Sequence, residues 1–236
     1  MADDFYEWVC YNKITILNQT PAAFKAFIHA KDTTGSYYVD KVRVLRLVGE
    51  ALDASILRQW YEKYADSSTA LFNLYGPTET TVYAMCHERE HYEKDNVIGY
   101  PLCDLKIYLL DIFGEPVAFG AEGEIYISGP GVSCGYLNQS GLTAKCFSID
   151  PFSVRNVSRM YQTGDKACYA PDGNIVYLGR LDDLIKIRGF RIEPAEIEVK
   201  LLEFPTIQEV VVLPRNKGLE CCLVAYVVSH RDDELA

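Results

Sequence analysis

Asn73-Leu74-Tyr75-Gly76-Pro77-Thr78-Glu79-Thr80-Thr81 is the stretch whose reading decides the fold. Leu71 to Leu74 is a short apolar run with strand character, and Tyr75-Gly76-Pro77 breaks it. The break is followed by hydroxyls and one carboxylate. Open α/β sheets bind ligands at the carboxyl ends of their strands, and this is such an end. The tyrosine could stack on a flat base and a threonine could hold a phosphate oxygen. Glu79 is a hard oxygen ligand suited to Mg²⁺. The same residues also read as an ordinary Gly-Pro turn with Glu79 capping a helix.

Working back from that strand, Val42 to Val48 is another apolar run, with Arg43 and Arg46 interleaved. Gly49-Glu50-Ala51-Leu52 turns it into a helix that ends near Tyr64. Ile14 to Leu17 is a third strand, preceded by a helix from about residue 3. A second helix follows from Pro21, whose missing N–H is not needed at a first helical position. Strands alternating with helices at this spacing predict βαβ units and a parallel sheet.

The texture changes after Asn96. Lys106 to Asp111, Glu124 to Ser128, Met160 to Thr163, Lys166 to Tyr169 and Ile175 to Leu178 read as short strands. Turns such as Pro171-Asp172-Gly173-Asn174 separate them, which predicts an antiparallel barrel or meander. A helix over 193–203 and strands over 209–213 and 223–228 complete the chain. The expected class is α/β: a parallel βαβ portion, a small antiparallel barrel-like subdomain, and the start of a small α+β domain. A hinge is expected within 180–183, dividing the chain into 1–181 and 182–236.

Composition narrows the function. The 236 residues are 49% apolar and 24% charged, which is globular and not disordered. A net charge of -10 argues against a broad nucleic-acid surface. No apolar run approaches the roughly 20 residues of a membrane span. The start MADDFYEW lacks a basic region and an apolar stretch, so a cytoplasmic location is expected. The eight cysteines contain no C-x-x-C pair and read as reduced, buried thiols.

Three further stretches bear on chemistry. Tyr161-Gln162-Thr163-Gly164-Asp165 places a carboxylate after a glycine, where it could accept hydrogen bonds from two ribose hydroxyls or simply sit in a turn. Residues 179–193 carry Arg180, Lys186, Arg188 and Arg191, either one polar face of a strand pair or a solvated hairpin. His87-Glu88-Arg89-Glu90-His91 matches the zinc-protease pattern H-E-x-x-H, but the segment is polar all round, so a solvated connection is expected instead.

NLYGPTETT (73–81), GEIYISGPGVSCGY (123–136), YQTGDK (161–166) and GRLDDLIKIRGFRIEPAEIE (179–198), in this order, resemble the adenylate-forming superfamily. Within it they are most similar to the adenylation domains of nonribosomal peptide synthetases. ITILNQTPAAF (14–24) and VGEAL (48–52) carry the same resemblance, which covers essentially the whole chain. It implies activation of an amino acid by ATP and Mg²⁺ as an aminoacyl-adenylate. The acyl group would then pass to the phosphopantetheine thiol of a peptidyl carrier domain.

Carried over by motif, Tyr75 would stack on adenine, Asn73 would meet its edge, and Gly49, Glu50, Ala51 and Gly76 would line its site. Thr78 would touch phosphate and Glu79 would bind Mg²⁺. Asp165 would hold the ribose hydroxyls with help from Arg180. Asp182 would be the hinge, Lys186 would act in the thiol step, and Arg188 and Gly189 would border the pantetheine tunnel. Asn18, Arg46, Val48, Leu74, Val82 and Tyr83 fall on the positions of the substrate pocket. Arg46 there either pairs with an acidic or carbonyl-bearing substrate side chain, or turns to solvent or pairs with a neighbouring carboxylate.

The chain also departs from the family pattern. The Ser/Thr/Gly-rich phosphate loop, the upstream aspartate that anchors an amine and the C-terminal catalytic lysine are missing from this sequence. The chain alone is therefore expected to adenylate poorly and to depend on the remainder of the domain. Leu184 stands where synthetases show Gln and acyl-CoA ligases show Leu, whereas Asp182 leans toward the synthetases. An acyl- or aryl-CoA ligase piece and a non-catalytic binding remnant stay as alternatives.

Overall fold

The computed structural model describes residues 2–30, 39–64, 68–89, 96–153, 158–217 and 220–229. The chain forms two compact units, Met1–Leu181 and Asp182–Ala236.

The first unit opens with α1 (Ala2–Tyr11), β1 (Ile16–Gln19), α2 (Pro21–His29), β2 (Val44–Val48), α3 (Ala54–Lys63) and β3 (Ala70–Tyr75). Local signals start both later helices. Thr20 accepts a hydrogen bond from the Ala23 N–H with Pro21 in the first turn, and Asp53 accepts from the Ser55 N–H at 2.7 Å. Lys63 Nζ closes the far end of α2 by donating to the Ile28 carbonyl at 2.5 Å. β1, β2 and β3 are parallel neighbours. Alternate residues Leu17, Leu45, Leu47 and Leu71 are buried in one core with Tyr6, Val9, Phe24, Phe27 and Trp60 from the helices. This is the βαβ layer that the sequence predicts.

β4 (Met85–Glu88), β5 (Val97–Pro101), β6 (Lys106–Leu110), β7 (Glu122–Ser128), α4 (Ser140–Cys146), β8 (Phe147–Ile149), β9 (Arg159–Tyr169) and β10 (Ile175–Arg180) complete the unit. Among the described residues the strands join in one sheet, ordered β1-β2-β3-β4-β5-β10-β9-β7-β6, with β8 pairing β9. Every pairing beyond β3 is antiparallel. Of the two expected forms, barrel and meander, the strands take the open one. A second core gathers Tyr75, Met85, Ile98, Leu109, Ile125, Ile127 and Ala167.

Two expectations change. Met160–Thr163 and Lys166–Tyr169 are one strand, because Gly164 (φ 73) carries the chain through a register shift without ending the pairing. The segment from His87 is not a solvated connection at its start. His87 lies in β4 opposite Asn73, and Met85, His87 and Arg89 are buried with a period of two. His87 is therefore on a strand and not on the helix that the zinc-protease pattern requires. Glu90 and His91 lie outside the described residues.

The second unit contains β11 (Ile185–Ile187), β12 (Phe190–Ile192), α5 (Pro194–Leu202), β13 (Ile207–Lys217) and β14 (Glu220–Ser229). β11 and β12 form a hairpin whose two turn residues, Arg188 (φ 52) and Gly189 (φ 79), are both left-handed, as a type I′ turn requires. Lys186 and Arg191 are register partners, so they share a face, while Arg188 is in the turn and not on that face. α5 is tied to β13 by a Glu198 carboxylate that accepts from the Val212 N–H at 2.8 Å.

Candidate nucleotide and substrate site

β3 ends at Tyr75, and the turn that follows is over-determined. A Cβ on Gly76 would lie 2.4 Å from the Val82 carbonyl oxygen and 2.8 Å from the Ala84 nitrogen, so only glycine fits. Thr78–Thr80 form one 3₁₀ turn. Thr81 (φ 61) and Val82 (φ 73) then reverse the chain in left-handed conformations. A β-branched residue there is strained. The Thr81 hydroxyl holds the turn by donating to the Gly131 carbonyl at 2.8 Å.

That turn buries Glu79. Its carboxylate accepts from the Tyr136 hydroxyl at 2.6 Å, and Tyr136 in turn lies 3.5 Å from the Tyr161 hydroxyl. The Glu79 carbonyl accepts from the Ser133 N–H at 2.8 Å, which ties the turn to the 129–136 loop. Burial, then the hydrogen bond to Glu79, pushes the Tyr136 hydroxyl up to about 12. Burial, then Tyr136, pushes Tyr161 higher still. Both phenols therefore stay protonated as donors at neutral pH. Thr78, next to Glu79 in the chain, is exposed.

Asp165 is the centre of a second cluster. Its carboxylate accepts from the Tyr75 hydroxyl at 2.5 Å, from Arg180 Nη1 at 2.8 Å and from the Tyr177 hydroxyl at 3.4 Å. Burial, then the Asp165 charge, holds the Tyr75 hydroxyl well above its usual range. Backbone irregularities aim these groups. The register between β9 and β10 shifts between Tyr177 and Gly179, which brings Arg180 opposite Asp165. Across β9, Glu124 accepts from the Gly164 N–H and from the Gln162 amide, both at 2.9 Å. It thereby satisfies the backbone donor at the Gly164 kink.

The first unit thus brings Tyr75, Asp165 and Arg180 into contact, with Gly76, Thr78 and Glu79 one turn away. Asn73 is buried in β3 and donates to the Val97 carbonyl at 2.7 Å. Gly49 (φ 95), Glu50 and Ala51 follow the end of β2. The Glu50 carboxylate accepts from the Ala22 N–H in the first turn of α2, which ties two strand ends together. Lys186, Arg188 and Gly189 lie in the second unit. Asp182 is its first residue, and its carboxylate accepts from the Leu184 N–H at 3.3 Å.

A pocket of about 230 Å³ opens on the sheet face away from the helices and is lined by Arg46, Phe72, Leu74, Tyr83, Cys86 and Leu102. Arg46, Leu74 and Tyr83 come from the six expected pocket positions. Asn18 and Val48 share the sheet face by register with Arg46 and Leu74 but do not line this cavity. Val82 is 56% exposed in the turn and also stands apart.

Tyr136, Tyr177 and Glu124 are site residues that sequence reasoning did not single out. Tyr136 and Glu124 sit inside a quoted motif, which was the available signal. Tyr177 carried none.

The carboxylates fit the groups assigned to them. A carboxylate has about four lone-pair positions, and among the described residues three at Asp165 are used, which leaves room for a ligand hydroxyl. Mg²⁺ is commonly held by one or two carboxylates together with phosphate oxygens, and Glu79 is a buried carboxylate at a strand end.

The chain matches the AMP-binding enzyme family over residues 1–137. It is 40% identical over 236 residues to malpinin synthetase of Mortierella alpina, covering 99% of this chain and 3% of that protein. It is 39% identical over 221 residues to a dimodular nonribosomal peptide synthase of Bacillus subtilis, covering 91% of this chain and 9% of that protein. The fold superposes on PA1221, an NRPS protein containing adenylation and PCP domains, with a TM-score of 0.83 and 25% identity over 99% of this chain and 47% of that chain. The chain therefore spans a small part of the two synthetases and about half of the PA1221 chain. No described helix is long and apolar enough to cross a membrane. With more than half its length matched, the motifs in order and the strand-end geometry in place, the chain belongs to the AMP-binding enzyme family, and within it resembles part of a nonribosomal peptide synthetase adenylation domain.

Proposed function

We propose that this chain is the portion of an adenylation domain that holds the nucleotide while an amino acid is activated for transfer to a carrier thiol. One observation carries the reading: Tyr75, Asp165 and Arg180 form a single hydrogen-bonded group at the strand end that also presents Glu79. ATP bound there with Mg²⁺ supplies the leaving group, and the chain's own residues position it. Asp165 accepts the ribose hydroxyls, and Arg180 holds the carboxylate in place by pairing with it. Tyr75 fixes the carboxylate through its hydroxyl and offers its ring to the base. Glu79, held by Tyr136, carries the metal, and Thr78 meets the phosphate. Charge developing on a transferring phosphoryl group is stabilised by such prepositioned groups.

The second unit is assigned to the thiol step, with Asp182 as the hinge, Lys186 acting in that step and Arg188 and Gly189 bordering the pantetheine tunnel. The domain boundaries follow as 1–181 for the large AMP-binding core and 182–236 for the beginning of the small subdomain. A carrier domain and the remainder of the adenylation domain are the expected partners. The family resemblance and the PA1221 superposition support this assignment.

The test is amino-acid-dependent ATP–pyrophosphate exchange, run on this chain and on the chain within its natural polypeptide. Exchange by the longer form with one dominant amino acid, and little by the chain alone, is expected. Brisk exchange by the isolated chain would refute its incompleteness. Leu184 favours a second reading as an acyl- or aryl-CoA ligase, and exchange with fatty or aryl acids only would select it.

A further inference from the structure

Arg46 lies in the middle of β2, on the sheet face opposite the helix-packed core. It is partly buried and lines the 230 Å³ pocket, whose other walls are Phe72, Leu74, Tyr83, Cys86 and Leu102. The Arg46 side chain forms no hydrogen bond or ion pair with another described residue. The carboxylate nearest by register on that face is Glu88, because Arg46 pairs with Phe72 and Phe72 pairs with Glu88. Two strand spacings put the two backbones roughly 10 Å apart, with the Phe72 ring between them. Glu88 is exposed and does not neutralise Arg46.

A guanidinium at the wall of an apolar pocket is costly to cover with an apolar ligand, because it would lose water and gain no partner. Its natural complement is a planar anion, which it can bind through two parallel N–H donors. Phe72, Leu74 and Leu102 ask for hydrocarbon in the rest of the ligand. The volume is room for roughly seven water-sized groups, enough for an extended side chain. Burial raises the Cys86 thiol and Arg46 lowers it, consistent with the guanidinium facing the same cavity.

We propose that this pocket selects an amino acid whose side chain carries a carboxylate at the end of an apolar stem, with Arg46 as the residue that reads it. The proposal rests on the activation reading above. Glutamate and 2-aminoadipate are the simplest members of the class.

The experiment is ATP–pyrophosphate exchange by the chain in its natural polypeptide, with glutamate, 2-aminoadipate, glutamine, norleucine and phenylalanine. A dicarboxylic amino acid should exceed glutamine in kcat/KM on the order of 100-fold, the scale of a paired charge lost from a partly dry site. Arg46→Ala should erase that preference mainly through KM, and Arg46→Glu should redirect it toward lysine or ornithine. Equilibrium dialysis with labelled glutamate gives a readout independent of turnover, and Arg46→Ala should abolish retention. If a neutral amino acid dominates and Arg46→Ala changes nothing, the substrate class is wrong while activation stands. If no amino acid supports exchange, the activation reading falls and takes this proposal with it.

Discussion

Leu45 and Arg46 are neighbours in β2 and inhabit opposite worlds. Leu45, with Leu47, Leu17 and Leu71, is sealed beneath three helices. Arg46, with Phe72 and Leu74, faces a pocket on the other side of the same strands. One layer of backbone separates a packed core from a candidate specificity surface. The difference shows what alternation encodes here: Leu45 and Leu47 pack into the helix-covered core, and Arg46 between them faces the pocket.

The largest effect tests that division directly. Leu45→Asp places a carboxylate at a position with no exposure and should cost at least about 4 kcal/mol, which unfolds the first unit. Arg46→Asp, one residue on, should leave the unit folded. Urea denaturation followed by circular dichroism separates the two. Equal loss of stability would break the comparison.

Next in size is Gly76→Ala, at the edge where the two faces meet the strand end. The new Cβ would strike backbone atoms of Val82, Tyr83 and Ala84, which cannot rotate away, so a loss of about 2 kcal/mol is expected. Nucleotide binding in the longer polypeptide, read by calorimetry, should weaken with it because Glu79 hangs from that turn.

The legible part of the fold is the part in which one face is apolar. Leu45, Leu47, Trp60 and the caps Thr20 and Asp53 announce strands and helices in the sequence itself. β4 was not legible, because the residues buried in and just after it beside Met85 are His87 and Arg89, which read as surface. The unbroken β9 was hidden by Gly164, since a glycine signals a turn in sequence and a kinked continuation here. At the site, Tyr75, Glu79 and Asp165 stood out as chemistry on strand ends. Tyr136, Tyr177 and Glu124 did not, because their roles come from partners 57, 12 and 40 residues away.

A smaller effect concerns Tyr136. Removing its hydroxyl in Tyr136→Phe deletes one hydrogen bond to a carboxylate and should cost about 1.5 kcal/mol. The pH dependence carries a clearer signature. The folded chain raises this phenol from its usual 10.0 to about 12, so it favours the protonated form. The contribution to stability is complete below pH 10 and is lost as the pH climbs through about 12. Tyr136→Phe should flatten part of that alkaline decline in a denaturation series, and an unchanged slope would remove Tyr136 from the Glu79 cluster.

The smallest stability change belongs to Arg46→Ala, and its smallness is the point. A residue on a face that packs nothing of the described core should move the folding free energy by no more than about 0.5 kcal/mol. Were Arg46 a structural residue holding an unseen partner, its loss would leave that partner's charge uncompensated and cost several times more. A near-zero change in the denaturation midpoint, measured beside Leu45→Ala at about 3 kcal/mol, would leave ligand recognition as the reason for a cation at that wall. Two adjacent truncations in one strand would then separate a residue kept for the fold from one kept for what the fold binds.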